Sequence, residues 1–189
     1  MNNMMTNEQI GMILSVCGML VTVFSFQLKK KSLLLLAQTV GSAFYLVSYI
    51  FSKGGIAVIL NVIFIIRNFL FITVKEDKKR GMLLCSLLWA SYIISYLCFI
   101  LFQPLSNGEK LWNLLPVIGS FFGTFAITKT NANALRAWKS LDSLSWLAFN
   151  LRIGLGALGG IIGEIFNLTS ICIAILRFKK EESVSNEKN

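Results

Sequence analysis

Residues 55–80 read GIAVILNVIFIIRNFLFITVKEDKKR: an apolar block, Gly55–Val74, that runs into Lys75, Lys78, Lys79 and Arg80. As a helix rising about 1.5 Å per residue, the block matches the roughly 30 Å hydrocarbon core of a bilayer. The basic cluster marks the end that stays on the cytoplasmic side. Outward from this stretch, six more blocks of similar character follow: Gln9–Leu28, Ser32–Phe51, Gly81–Phe102, Leu111–Thr128, Leu141–Ile153 and Ala157–Phe178. The sixth is short, and an earlier start near Asn133 brings it to length if Arg136 and Lys139 snorkel to the interface.

Composition agrees. The 189 residues are 55% hydrophobic and only 14% charged, with a mean hydropathy of +0.68, too little polar surface for a soluble domain of this length. Seven spans and short loops use up the chain, which leaves no room for a separate soluble enzyme domain. The net charge of +9 is not read as a nucleic-acid footprint, because the basic residues sit in short clusters between apolar blocks. Cys17, Cys85, Cys98 and Cys172 all lie inside apolar runs, and the chain has no His; they read as small apolar packers, with no metal or cofactor implied. The first block does not read as a signal peptide, since Glu8 flanks it and Gln27 and Lys29 follow it.

Charge alternates from one connection to the next. One set holds Lys29–Lys31, then Lys75, Lys78, Lys79 and Arg80, then Lys129, Arg136 and Lys139, then Lys179, Lys180 and Lys188. The other holds Lys53, Lys110 and, at most, Arg152. The positive-inside rule therefore places the N-terminus outside and the C-terminus in the cytoplasm, with an odd number of spans.

Sliding the sequence along itself by 101 positions brings Val16, Gly18, Phe24, Leu34, Ser42 and Leu46 onto Val117, Gly119, Phe125, Leu135, Ser143 and Leu147. In the same register Tyr45 meets Trp146 and Tyr49 meets Asn150. After a short loop insertion, Gly54–Ile56 meets Gly159–Ile161. The expected fold is an all-α membrane protein of seven transmembrane helices. It divides into a first three-helix bundle (1–80), a linker helix with its outer loop (81–110), a second bundle (111–178) and an unordered tail (179–189). Three spans reverse the chain's side and the linker reverses it back, so the bundles are parallel repeats, with a site expected between them near mid-membrane.

Polar residues inside the blocks fall on single helical faces. Gln38, Ser42, Tyr45, Ser48 and Tyr49 share one face; Asn61 and Asn68 share another, with Arg67 beside them. Asp142, Trp146 and Asn150 follow i, i+4, i+8, and Gly160, Glu164 and Asn167 follow i, i+4, i+7. One reading is a polar cavity, in which Asn side chains bond a solute and aromatic rings stack on it. The other is interhelical glue without a cavity. Glu164 reads as the one acidic side chain well inside a block and Arg67 as the one comparably deep base. They could set charge preference or couple to protons, or form a structural pair. Gly119-x-x-x-Gly123, Gly156-x-x-x-Gly160 and Gly159-x-x-x-Gly163 read as close helix packing, and Pro116 as a static kink. Gly154-x-Gly156-x-x-Gly159 matches the dinucleotide fingerprint only by letter, since no βαβ unit surrounds it. The sequon Asn167-Leu168-Thr169 lies mid-membrane.

From Leu114-Leu115-Pro116-Val117-Ile118-Gly119 through Trp146-x-x-x-Asn150, Gly159-Gly160-x-x-x-Glu164 and Arg177-Phe178, with Gly55 and Asn61 in the first half, the chain resembles the YgjV family of bacterial inner-membrane proteins. By resemblance that family is grouped with the SWEET, SemiSWEET and PQ-loop proteins, whose triple-helix bundles form carriers of sugars, amino acids and other small solutes. The resemblance implies the three-plus-one-plus-three architecture and a bacterial inner-membrane location, and it names no substrate. Tyr45 stands where some relatives have His, the loop before Gly159 is longer, and the Pro-Gln pair is replaced by Phe26-Gln27.

The resulting expectation is a facilitator or proton-coupled carrier of a small polar solute, with no nucleic-acid partner; a homo-oligomer is compatible with it. Tyr45, Asn61, Trp146, Asn150 and Asn167 would contact solute, and Glu164 and Arg67 would set charge preference or coupling. A non-transporting accessory protein is the alternative. An intramembrane enzyme is disfavoured by the lack of His and of metal-ligand clusters. The charge alternation predicts that alkaline phosphatase fused at Ser106 is active in bacterial cells and that a fusion at Lys129 is inactive; the opposite pattern would invert the assigned orientation.

Overall fold

The computed structural model describes residues 5–25, 31–73, 78–129 and 132–186. Among them lie seven α-helices and no strand: α1 (Asn7–Ser25), α2 (Lys31–Phe51), α3 (Ile56–Thr73), α4 (Lys78–Phe102), α5 (Asn107–Ile127), α6 (Ala132–Ile153) and α7 (Leu158–Asn186). Of the residues that bear on orientation and resemblance, Phe26, Gln27, Lys29, Lys30, Lys75 and Lys188 lie outside the described set. Helix α7 continues through Asn186, into the segment assigned from sequence to a tail.

Among the described residues five stretches are long and apolar enough to cross a membrane: Asn7–Ser25, Ile56–Thr73, Lys79–Phe102, Asn107–Ile127 and Ala137–Ile173. Leu35–Phe51 of α2 is a shorter apolar helix. The last long stretch contains both α6 and α7, divided by a 3-10 turn at Gly154–Ala157. Gly154 enters that turn at φ 82°, the left-handed region that glycine adopts without a steric penalty. The chain folds back there, so that Gly160 of α7 lies against the Asn150 amide of α6.

Six helices close a ring in the order α1, α2, α3, α5, α6, α7, with α7 returning to α1. Helix α4 packs outside it, against α3 and α5. It buries Cys85, Leu88 and Tyr92 inward, while Leu83, Leu87, Ile94 and Leu101 are exposed. Exposed Leu, Ile and Phe on the other helices continue this apolar outer surface, which suits hydrocarbon rather than water. The inner core is rich in aromatics: Tyr49, Tyr92, Trp146 and Phe149 are buried, with Phe64 packed between Tyr92 and Trp146.

One end of the ring is sealed by small and hydroxyl side chains. Ser48 Oγ donates to the carbonyls of Gly11 (2.8 Å) and Gly156 (3.3 Å), and Ser52 Oγ donates to Gly156 (3.0 Å). The Gly159 amide donates to Ser15 Oγ at 3.0 Å. At this crossing α1 and α7 approach so closely that a Cβ on Gly159 would overlap the backbone of Ser15 and Val16. Bonds of this kind hold helices together where no water competes.

Equivalent contacts recur across the ring. Gly18 of α1 packs on Phe44 and Tyr45 of α2, and Gly119 of α5 packs on Ser145 and Trp146 of α6. Each member of the second set stands 101 positions after its counterpart. Helix α5 runs continuously through the buried Pro116. Its N-terminus is held by a capping box between Ser106 and Glu109.

Gly159→Val is expected to force α1 from α7 and to destabilise the fold by about 1–3 kcal/mol or more. Thermal unfolding in detergent would show it as a lowered midpoint, and an unchanged midpoint would contradict the close crossing.

Candidate functional site

The ring surrounds a partly open cavity of about 90 Å³ lined by both polar and apolar groups. A water occupies roughly 30 Å³ of liquid, so the space suits a few waters or one small polar solute. Helix α2 contributes Gln38, Ser42, Tyr45 and Tyr49; α3 contributes Asn61, Phe64, Arg67 and Asn68. From α6 come Lys139, Asp142, Trp146 and Asn150, from α7 Gly160, Glu164 and Asn167, and from α1 Thr22. All seven residues singled out from sequence, on four separate helices, therefore line one space.

Tyr49 Oη donates to Asn150 Oδ1 at 2.6 Å and joins α2 to α6 through the centre. These two residues are 101 positions apart in the chain. Tyr45 and Trp146 flank the bond, with Tyr45 stacked near Tyr49 and Trp146 tilted against it. Asn61 spends one amide hydrogen on the Ala57 carbonyl of its own helix (2.9 Å). That anchors the side chain and leaves its oxygen available as an acceptor.

Arg67 is buried, at 5% exposure. Its Nε and Nη2 donate to Asn68 Oδ1 (3.3 and 3.1 Å), Nη1 donates to Thr124 Oγ1 (3.5 Å), and the guanidinium lies 4.5 Å from the Phe64 ring centroid. Among the described residues no carboxylate reaches it within ion-pair distance, so the expected alternative of a pair with Glu164 is not formed. Glu164 instead accepts from Asn167 Nδ2 at 3.2 Å. Thr124, which also bonds the Tyr92 hydroxyl (2.8 Å), ties α3, α4 and α5 together behind the guanidinium.

Asp142 corrects the view of Glu164 as the one deep acid. It is 5% exposed, lies on the cavity wall and forms an ion pair with Lys139 through Oδ2. Its other oxygen, Oδ1, is buried without a protein partner, as is Asn68 Nδ2. A sixth block starting at Leu141 leaves Asp142 at its edge; α6 begins at Ala132, next to the alternative start at Asn133, which puts Asp142 well inside the helix. The polar periodicity with Trp146 and Asn150 was the signal for it. The small residues of α5 have a related purpose: Gly123 leaves room for the Asp142 carboxylate and Gly119 for the Trp146 ring. That face of α5 packs closely on α6, as expected, with the Asp142 and Trp146 side chains filling the space the glycines leave.

A family model described as Imp-YgjV, bacterial inner membrane protein, matches residues 9–182, nearly the whole chain. The chain belongs to this family. No curated protein and no solved structure matches it. For this YgjV-family protein the apolar exterior and the membrane-length helices agree with an integral protein of the bacterial inner membrane.

Replacing Tyr49 by Phe would leave the Asn150 oxygen without its donor. The expected loss is about 1–3 kcal/mol, the cost of an unsatisfied buried acceptor, read as a lower unfolding midpoint in detergent. An unchanged midpoint would show that the bond does not join α2 to α6.

Proposed function

We propose that this YgjV-family protein carries a small polar solute across the inner membrane by alternating access, with seven spans, the N-terminus outside and the C-terminus in the cytoplasm. The observation that carries the reading is the convergence of Tyr45, Asn61, Arg67, Trp146, Asn150, Glu164 and Asn167 on one polar cavity within apolar helices. Charged and amide groups are costly in a membrane interior and are commonly retained there for a pathway or a site.

Helices that only pack would satisfy these groups with each other, as Tyr49 and Asn150 do. Among the described residues Asn68 Nδ2, Asp142 Oδ1 and Ser143 Oγ are left over, so packing does not satisfy this interior completely. The two-bundle reading, of the SWEET type, is supported by the ring order. Helices α1 and α5, α2 and α6, and α3 and α7 lie opposite one another, as pseudo-symmetric halves around a central site would. The seal at Ser48, Ser52 and Gly156 closes the end assigned to the outside, so the described state faces the cytoplasm. In this reading the protein acts without catalysis, cofactor or metal.

The test is uptake into proteoliposomes across sugars, amino acids and vitamins. The wild type is expected to transport at least one class, and Asn150→Ala to reduce that uptake by about tenfold or more, since it removes a central polar contact. No uptake of any solute would favour a non-transporting accessory role.

A further inference from the structure

Helix α4 packs outside the ring against both α3 and α5, so position alone does not assign it to either half. Its bonding is one-sided. Cys85, Trp89, Tyr92 and Tyr96 follow i, i+4, i+7, i+11, a single stripe along the helix. Each of the four reaches a partner on α5. Cys85 Sγ donates to the Thr124 carbonyl (3.6 Å), Trp89 Nε1 to the Phe121 carbonyl (3.3 Å) and Tyr96 Oη to the Lys110 carbonyl (2.9 Å). Tyr92 Oη and Thr124 Oγ1 bond at 2.8 Å. From Lys110 to Thr124 these partners extend over about 21 Å of helix, at 1.5 Å per residue. The rings of Trp89 and Phe121 stack alongside, with centroids 5.6 Å apart. The connection between the two helices is short, and it passes from a backbone bond of Gln103 to Phe99 into the Ser106 capping box.

Toward α3 the contact has a different character. The Phe64 ring meets Tyr92 edge-on at 6.3 Å, and Gly55, just before α3, lies against the Phe99 ring. Among the described residues, the hydrogen bond from α3 to the α4–α5 pair is Arg67 Nη1 to Thr124 Oγ1, at a long 3.5 Å. In hydrocarbon a broken bond finds no water to replace it. Parting α4 from α5 would break four polar contacts spread along both helices. Sliding α3 past the pair breaks one, while apolar side chains exchange one neighbour for another.

From this asymmetry we propose that α4 belongs to the second half of the molecule and moves with α5 as one body. The surface that slips in alternating access then lies between α3 and the α4–α5 pair, and the Arg67–Thr124 bond is the polar contact that breaks there. The proposal rests on the transport reading for the movement, and on the hydrogen bonds for which helices share it.

The experiment measures distances between pairs of nitroxide labels on the full chain in liposomes. The native cysteines are replaced, with Cys85→Ser keeping a donor in the stripe. Labels go to side chains exposed on the apolar surface: Ile66 and Leu87 report α3 against α4, Leu87 and Ile118 report α4 against α5, and Ile50 and Leu151 report α2 against α6. Distances are compared with and without Tyr49→Phe, which removes the bond between α2 and α6; Asn150→Ala removes it from the other side and serves as the second variant. The Ile50–Leu151 and Ile66–Leu87 distances are expected to shift by about 1–2 Å or more, the scale of helix shifts at moving interfaces. The Leu87–Ile118 distance is expected to stay single and unchanged. A shift at Leu87–Ile118, or none at Ile66–Leu87 while Ile50–Leu151 moves, would overturn the proposal and leave the transport reading standing. No shift at any pair would overturn the rocking of the two halves, and the proposal with it.

Discussion

A polar side chain in hydrocarbon can turn only to another side chain, a backbone carbonyl or enclosed water. Much of this molecule follows from that constraint. The helices satisfy their own backbones, so the outer surface needs no more than Leu, Ile, Phe and Val. An Asn, Arg or Glu in the middle of a span then turns inward, as Asn61, Arg67 and Asn150 do, and a ring of helices gives such groups a common interior. Ser15, Ser48 and Ser52 meet the same constraint at the sealed end by bonding across helix crossings that only glycine backbones allow to be so close.

The interior is not uniformly satisfied, and the pattern of what remains is informative. At the centre the Tyr49–Asn150 bond is complete and rigid. Toward the other end the groups become larger, charged and only partly engaged: Arg67 by neutral partners, Asp142 by one oxygen, Asn68 by its carbonyl alone. A gradient from closed and neutral to open and charged is what a site with one accessible face would show. Bonding between helices near the seal thus gives way to less fully engaged polar groups below it.

Apolar membrane-length helices and their inward polar faces were readable from residues 55–80 and their relatives along the chain, because hydrophobic blocks and helical periodicity are local properties. Helical spacing alone put Asn61, Asn150, Glu164 and Asn167 on inward faces, and the cavity receives all four. The partners were not readable, because they depend on which helices become neighbours. Arg67 finds Thr124, a residue that gives no signal in an apolar block, and Glu164 finds Asn167 one turn along its own helix. The Asp142–Lys139 pair was obscured because charged residues shorten a hydropathy block while still lying within the helix that contains it. The glycines of α5 read as helix contacts and are such; which side chains of α6, Asp142 and Trp146, fill the space they leave is not shown by sequence.

The central claim is a polar, water-reachable cavity inside the membrane-spanning bundle, and adjacent positions on α7 test it at a single depth. Asn167 lines the cavity, whereas Phe166 is exposed on the outer surface. In a background with the four native cysteines replaced, a single Cys at each position is treated with a membrane-impermeant thiol reagent applied to inside-out membrane vesicles. Asn167→Cys is expected to react and Phe166→Cys to stay unmodified in lipid. Equal reactivity of the two, or no reaction at Asn167→Cys, would contradict the cavity.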